Sequence, residues 1–230
     1  MRYRETHLNK KGSNTCLRMI RIFNCNGDRR NINVNKIQLR RQMRRVRRDL
    51  EPHKRQQAEL LIKEHFIKSQ LTASSVHIAC YHHFDGEVSL EPIIDWLLLQ
   101  QKQVYAPVIE KNENNAMQFF PISVQEQITH NKYGIREPDA RQLKPILPQD
   151  LDIIMLPLVA ADQKGHRLAL GKGYYDKYLT QCQDNKRLKK IGVAYHCQLI
   201  EKIENDTWDI CLDYLITEKG IQEYNHNLLI

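Results

Sequence analysis

The chain has 230 residues, with 35 Lys or Arg and 27 Asp or Glu, which gives a formal net charge of +8. This length is enough for one large α/β domain or two small ones with a buried core. The sequence has no run of about eighteen apolar residues, so we expect no membrane-spanning helix, and no apolar segment follows the basic N-terminus, so we expect no secretory signal.

The positive charge is concentrated near the N-terminus. Residues 1–55 hold 17 Lys or Arg and 4 Asp or Glu, whereas the rest of the chain holds 18 and 23. Such an arm suggests nucleic acid or another polyanion as a partner, although charge runs are usually solvated surface. Residues 1–34 are polar and without periodicity, and we predict a basic, poorly ordered extension followed by a folded domain over 35–230.

The first predicted element is a helix that begins near Asn35. Four apolar residues fall at helical spacing on one stripe: Leu39, Met43, Val46 and Leu50. Lys36, Arg40 and Arg47 line one edge of that stripe, where they would either face a cleft or extend along the core boundary to reach water.

Strands and helices then alternate along the chain. A second helix begins at Pro52, and Ser89 can cap a third. Strands are predicted at 76–81, 104–109, 152–160, 191–196 and 214–217, with hairpins and loops over 111–150. This order predicts a single three-layer α/β domain with a mainly parallel, Rossmann-like sheet flanked by helices.

The segment LALGKGYYDKYL, residues 168–179, carries the clearest chemistry. Gly171 and Gly173 allow the backbone to approach a phosphate, and Lys172 supplies a mobile cation. Asp176 is a hard oxygen ligand of the kind that Mg²⁺ prefers. The G-x-x-x-x-G-K-[ST] pattern is absent, so this is not a Walker A loop.

The longer string LPLVAADQKGHRLALGKGYYDKYL resembles the signature of the 5-formyltetrahydrofolate cyclo-ligase family. Four other segments are similar to family motifs and occur in the family order: KIQLRRQM, FDGEVSLEPII, YGIREP and ENDTWDICLDYLITEKG. The resemblance extends from Asn35 to the C-terminus. One departure is Ala169, which stands where the family usually has glycine and would be strained if the loop needs a positive φ there.

The resemblance implies an ATP- and Mg²⁺-dependent enzyme that converts 5-formyltetrahydrofolate to 5,10-methenyltetrahydrofolate, ADP and phosphate. It implies catalytic roles for Lys172 and Arg167, and Mg²⁺ ligation by Asp176 and Asp213, with Asp209 as a competitor. It implies ATP contacts from Lys36, Arg40, Arg167, Leu168, Ala169, Leu170, Gly171, Lys172, Gly173, Tyr174 and Tyr175. It implies folate contacts from Glu87, Arg40 and His82.

Other interpretations of the sequence remain open at this point. The basic N-terminus is compatible with an RNA- or polyanion-binding protein on an enzyme-like scaffold, and a sugar-phosphate isomerase or CoA-transferase-like enzyme could share the fold. His82 and His83 lack a third ligand at metal-binding spacing, and Tyr174 is expected in the core. The six cysteines form no C-x-x-C pair and no zinc-like spacing, which predicts free thiols in the cytoplasm.

Overall fold

The computed structural model describes residues 29–109, 116–123, 128–131, 133–204, 206 and 209–224. Its helices are α1 (Arg29–Arg48), α2 (Pro52–Lys68), α3 (Glu91–Leu99) and α4 (Tyr174–Gln181). Its strands are β1 (His77–Ala79), β2 (Gln103–Ile109), β3 (Met117–Pro121), β4 (Ile128–His130), β5 (Arg136–Pro138), β6 (Ile153–Pro157), β7 (Ala160–Asp162), β8 (Arg167–Leu168), β9 (Lys189–Val193), β10 (Leu199–Ile200), β11 (Tyr214–Thr217) and β12 (Gly220–Glu223). None of the described helices has the length and apolar character needed to cross a bilayer.

Seven strands form the main sheet in the order β12-β11-β9-β6-β1-β2-β3. The five inner strands run parallel to one another, whereas β12 and β3 pair antiparallel at the two edges. The unit β1-α3-β2 is the parallel crossover that alternating strand and helix patterns predict. The predicted α/β class with a mainly parallel sheet is therefore confirmed.

Helices cover both faces of this sheet, and β6 shows how the sequence directs them. Ile153 and Met155 pack in a buried cluster with apolar residues of α2 and α3. Ile154 and Leu156 pack in a second cluster with residues of α4. Because side chains of a strand alternate between faces, the continuous apolar run of β6 fills both cores at once, which is typical of a strand between two helical layers.

A third cluster joins α1 to a small sheet of β10, β7 and β8. Met43 is buried there, and Leu39 packs against the cluster, as the helical stripe predicts. The helix begins at Arg29, six residues before the predicted boundary; residues 1–28 of the predicted extension lie outside the described residues. The contact places α1 beside the carboxyl ends of the main-sheet strands.

Two predicted elements have different bounds in the structure. The strand predicted at 152–160 is divided into β6 and β7, because the Leu158 carbonyl accepts hydrogen bonds from Arg47 (3.0 Å) and Gln198 (2.9 Å) and not from a neighbouring strand. The cap of α3 is Leu90 and not Ser89; the Ser89 hydroxyl accepts a long bond of 3.4 Å from the Glu91 N–H.

Candidate active site

A cavity of about 270 Å³ lies at the carboxyl ends of β1 and β6, where ligands of open parallel sheets bind. Most of its wall is apolar: Tyr81, Phe84, Pro107, Ile109, Met117, Ile135, Pro157 and Leu158. Every residue from Ala169 to Asp176 also lines it. The cavity thus combines an apolar chamber with the segment in which the sequence places phosphate chemistry.

Residues 169–173, which we call the glycine loop, connect β8 to α4. Gly171 and Gly173 have φ values of 90° and 72°, a region that side chains other than glycine rarely adopt. A Cβ on Gly171 would also lie 3.3 Å from the Arg40 guanidinium carbon. Ala169 is not among the residues with positive φ, so the departure from the family glycine introduces no left-handed strain.

Arg167 is a buried cation behind the glycine loop; it does not itself line the cavity, but it contacts Asp176, which does. Its Nη2 lies 2.5 Å from Asp176 Oδ1, and its side chain is 2% exposed. The buried Nε and Nη1 groups of Arg167 have no hydrogen-bond partner among the described residues. Desolvation lowers the pKa of Arg167, and the charge of Asp176 opposes that shift. Such a buried, incompletely paired guanidinium is arranged to accept an anion.

The other predicted cations differ in their surroundings. Arg40 donates from Nε to the Ala169 carbonyl at 2.9 Å, which fixes the start of the glycine loop. Lys172 is exposed and has no ion-pair partner in the described part of the chain. Lys36 lies outside the cavity wall, with its Nζ 2.7 Å from Asp206 Oδ2 and 3.6 Å from Asp209 Oδ2.

The structure does not bring the two predicted magnesium ligands together. Asp176 lies in the first turn of α4 beside the cavity. Asp213 precedes β11 at the amino ends of the strands, where its carboxylate accepts from the Lys190 N–H at 2.7 Å and contacts Lys190 Nζ at 3.2 Å. The predicted pairing of Asp176 with Asp213 is therefore corrected, since Asp176 lies near the carboxyl ends of the strands and Asp213 lies at their amino ends. Asp209 lies nearer the site, because its charge acts on Arg167.

Residues 84–87, which we call the acidic turn, contribute Phe84 and Glu87 to another wall of the cavity. Asp85 and Gly86 have φ values of 55° and 77°. The Asp85 carboxylate is buried and contacts three arginines of α1: Arg44, Arg47 and Arg48.

Glu87 lies at the end of the acidic turn and lines the cavity. Its Oε2 accepts from the Phe84 N–H at 3.1 Å. Burial raises the pKa of Glu87 from 4.5 to about 7, against the opposing charge of Arg47. This carboxyl group therefore changes protonation state near neutral pH, inside the cavity.

The remaining predicted side chains also lie near the cavity. His82 lines it and contacts Glu91 Oε1 at 3.3 Å through Nδ1. Tyr175 packs its ring edge-on to Phe119. Tyr174, expected in the core, packs partly against the core and also lines the cavity, where its hydroxyl is 3.3 Å from that of Tyr133. Leu168 is buried in the third core cluster, so its side chain is structural. No cluster of three or more metal-binding side chains occurs within the described ranges.

The sequence matches a known protein family over most of its length. The model of the 5-formyltetrahydrofolate cyclo-ligase family matches residues 32–218. The chain belongs to the 5-formyltetrahydrofolate cyclo-ligase family. It is 35% identical to the 5-formyltetrahydrofolate cyclo-ligase of Haemophilus influenzae, over 76% of this chain and 93% of the relative. It is 32% identical to that of Escherichia coli strain K12, over 79% of this chain and all of the relative.

A solved structure extends the agreement to the fold. The NMR structure of Aquifex aeolicus 5,10-methenyltetrahydrofolate synthetase matches with a TM-score of 0.68 and 31% identity, over 82% of this chain and 92% of that chain. As a member of the cyclo-ligase family, the protein is an enzyme of folate one-carbon metabolism. The family resemblance stated from the motifs is confirmed.

Several residues in or beside the cavity of this cyclo-ligase-family chain could not be found from the sequence. Asp85 lies within the FDGEVSLEPII motif, and its three arginine contacts come from a helix about forty residues earlier in the chain. Asn131 and Glu137 also line the cavity, and the Asn131 amide donates to Glu137 Oε1 at 2.8 Å. The only available signal for Arg47 was its place on the edge of the apolar stripe.

Proposed function

We propose that this cyclo-ligase-family chain converts 5-formyltetrahydrofolate to 5,10-methenyltetrahydrofolate and uses ATP, which becomes ADP and phosphate. The formyl oxygen attacks the γ-phosphorus and ADP departs. N10 then attacks the formyl carbon and loses its proton, and the C–O bond breaks to release phosphate. The observation that carries this proposal is Arg167, whose buried Nε and Nη1 lack partners among the described residues beside a glycine loop.

The glycine loop supports the phosphoryl-transfer step of the proposal. Phosphoryl transfer is catalysed mainly by positioning and by positive charge around the transferred group. Gly171 and Gly173 leave the backbone without side chains, so phosphate oxygens can approach its N–H groups. Lys172, which is exposed and without an ion-pair partner in the described part of the chain, can follow the charge as it moves from the γ-phosphate to ADP. Arg167 supplies a fixed charge at the base of the loop.

The acidic residues near the loop fit a magnesium ion that arrives with the nucleotide. Mg²⁺ on nucleotides is usually held by one or two carboxylates together with phosphate oxygens, so a complete protein cage is not required. When bound, the ion would neutralise charge on the phosphates. Asp176 is the first carboxylate that we assign to it. Asp206 and Asp209, which contact Lys36, are the candidates for a second.

The magnesium assignment is tested by titrating activity with Mg²⁺. We expect Asp176→Asn to raise the Mg²⁺ concentration needed for half-maximal activity. Asp213→Asn should leave that concentration unchanged and lower stability by about 1 kcal/mol, since it loses part of a charge-assisted bond to the Lys190 N–H. A higher Mg²⁺ requirement for Asp213→Asn alone would show that Asp213, and not Asp176, holds the metal.

The apolar chamber with Glu87 supports folate binding. Aromatic and proline side chains provide flat surfaces for a pterin ring, and a carboxylate suits the N–H groups on the edge of that ring. Glu87 is held by the Phe84 N–H through one oxygen, which leaves the other for a ligand. His82 stands on the same wall.

The decisive experiment measures ADP release and methenyltetrahydrofolate formation with 5-formyltetrahydrofolate as substrate. We expect both products in equal amounts, only when ATP and Mg²⁺ are present. Product formation without ATP would favour an isomerase- or transferase-like enzyme, and the absence of both products would remove the proposed reaction.

The alternative of a polyanion-binding protein receives less support. Five of the seven cations of α1 whose side chains the structure describes, Lys36, Arg40, Arg44, Arg47 and Arg48, contact the folded domain, whereas Arg41 and Arg45 are exposed. A nucleic-acid role for the basic N-terminus stays a prediction, because residues 1–28 lie outside the described residues. We place the proposed reaction in the cytoplasm on the cysteine pattern of the sequence.

A further inference from the structure

Arg47 of α1 is completely buried, although arginine is seldom found in a protein core. Its Nε donates to the Asp85 carbonyl at 2.9 Å, and its Nη1 donates to the Leu158 carbonyl at 3.0 Å. Its Nη2 is 3.0 Å from Asp85 Oδ2 and 3.7 Å from Glu87 Oε1. The guanidinium therefore joins the ends of two main-sheet strands through the acidic turn and the residue after β6.

We propose that Arg47 is a positioning residue for substrate binding, which holds the Glu87 carboxylate ionised and in a fixed orientation at the cavity wall. This rests on the proposed function, in which Glu87 accepts an N–H group of the folate. Asp85 and Leu158 accept three of the hydrogen bonds of Arg47 and fix its plane. The remaining charge acts on Glu87 from 3.7 Å, without forming a short bond that would occupy the carboxylate.

Among the groups that face Glu87, the arginines of α1 have the main effect on the charge of its carboxylate. Arg47 has the larger effect on Glu87, and Arg44 has a smaller one. Tyr81 and Tyr175 face the carboxylate from the end of β1 and from α4. Burial raises the pKa of both phenols well above 10, so they are neutral near pH 7. Arg44 is 37% exposed, and water screens its charge more than that of Arg47.

The positions of these groups determine whether removal of Arg47 raises or lowers the pKa of Glu87. Burial raises the pKa of Glu87 to about 7 while Arg47 opposes the shift. Removal of the Arg47 charge leaves burial less opposed, so the pKa rises further and the carboxyl is protonated at pH 7. A protonated carboxyl loses one acceptor site for a pterin N–H. Substrate binding should then require a higher pH.

The test compares the pH dependence of kcat/KM for the wild-type enzyme, Arg47→Met, Arg47→Lys and Arg48→Met. Arg48 contacts the same Asp85 but not Glu87, so its variant controls for weakening of the acidic turn. The acidic limb is the part of the profile where kcat/KM falls as the pH is lowered. We expect Arg47→Met to move this limb to higher pH by about one unit. At pH values below the limb kcat/KM should then be roughly tenfold lower than in the wild type, and at high pH it should recover.

The other two variants should shift the acidic limb less than Arg47→Met does. Arg47→Lys should shift the limb less, because lysine keeps the charge but cannot bond to Asp85 and Leu158 together. Arg48→Met should leave the limb in place. Unshifted limbs in both folded Arg47 variants would overturn the proposal.

A titration without turnover separates this inference from the proposed function. The ¹³C signal of the Glu87 carboxyl, assigned by its loss in Glu87→Gln, reports its protonation directly. In the wild-type protein we expect a midpoint near pH 7, with a higher midpoint in Arg47→Met and a smaller rise in Arg47→Lys. Equal midpoints in the wild type and the folded Arg47 variants would overturn the inference. If this titration agrees but 5-formyltetrahydrofolate is not converted, the proposed function fails and the Arg47–Glu87 coupling stands.

Discussion

The glycine loop and the acidic turn border the same cavity but are held in shape by different means. The glycine loop exposes Leu170, Gly171 and Lys172 to solvent, and its path depends on two glycines with positive φ. The acidic turn keeps both of its carboxylate side chains buried, and its shape depends on Asp85 and three arginines of α1. Local backbone chemistry therefore builds one half of this site, while the other half depends on contacts with a distant helix.

The largest expected effect is a loss of stability when the negative charge of Asp85 is removed from the acidic turn. Asp85→Asn keeps the shape of the side chain and tolerates the left-handed backbone, but leaves Arg47 buried with less compensation. We expect a loss of about 3 kcal/mol in the free energy of unfolding, measured with urea. Asp49→Asn is the matched control, because its partner Arg45 is exposed, and it should cost less than about 0.5 kcal/mol. Equal midpoints for the two variants would contradict the buried network.

The glycine loop should respond to mutation in activity and not in stability. Lys172→Ala removes an exposed side chain, so the free energy of unfolding should not change. Turnover should fall by about 10²–10³-fold, as when a preorganised charge is removed from a transition state, while folate affinity stays the same. Lys177→Ala is the control, since Lys177 is also exposed but lies farther along α4. A kcat near the wild-type value would remove Lys172 from the mechanism.

These two regions also divide what the sequence could and could not predict. The parallel sheet, the position of the glycine loop and the cavity side of Asp176 follow from short-range patterns: apolar runs, glycines and the start of a helix. The role of Asp85 could not be predicted, because it depends on three arginines about forty residues away that only the tertiary fold brings to it.

The assignment of Asp213 to the metal comes from the family resemblance and not from the strand pattern. The strand predicted at 214–217 begins directly after Asp213, which indicates the amino ends of a parallel sheet, away from the carboxyl ends where ligands bind. Lys36 likewise has the helical position expected of a phosphate contact, yet it pairs with Asp206 in the structure, a contact that spacing along α1 cannot reveal.

A smaller effect is expected on the pH dependence of stability, through Glu87 of the acidic turn. The pKa of Glu87 is raised by burial to about 7, so its contribution to stability is present below its unfolded value and is lost as pH rises through the folded one. Glu87→Gln is neutral at every pH. Its free energy of unfolding relative to the wild type should therefore increase between pH 5 and pH 8 by on the order of 2 kcal/mol. Urea unfolding at the two pH values measures this, and parallel changes in both proteins would contradict the buried, titrating carboxyl.

The smallest effect concerns Ala169 in the glycine loop. Its carbonyl accepts from Arg40, and its φ is not in the left-handed region, so a glycine there would relieve no strain. Glycine would instead add freedom that the loop loses when it closes on the nucleotide, which costs roughly 0.5–1 kcal/mol. We expect Ala169→Gly to weaken ATP binding about two- to fivefold by calorimetry. Gly173→Ala is the opposite comparison: its φ is 72° and a Cβ there meets no protein atom within 4 Å, so it should weaken ATP binding through backbone strain and through the loss of bare backbone facing the phosphates. Tighter ATP binding in Ala169→Gly would mean that Ala169 becomes left-handed when the loop closes, and that the family glycine at this position serves the bound state.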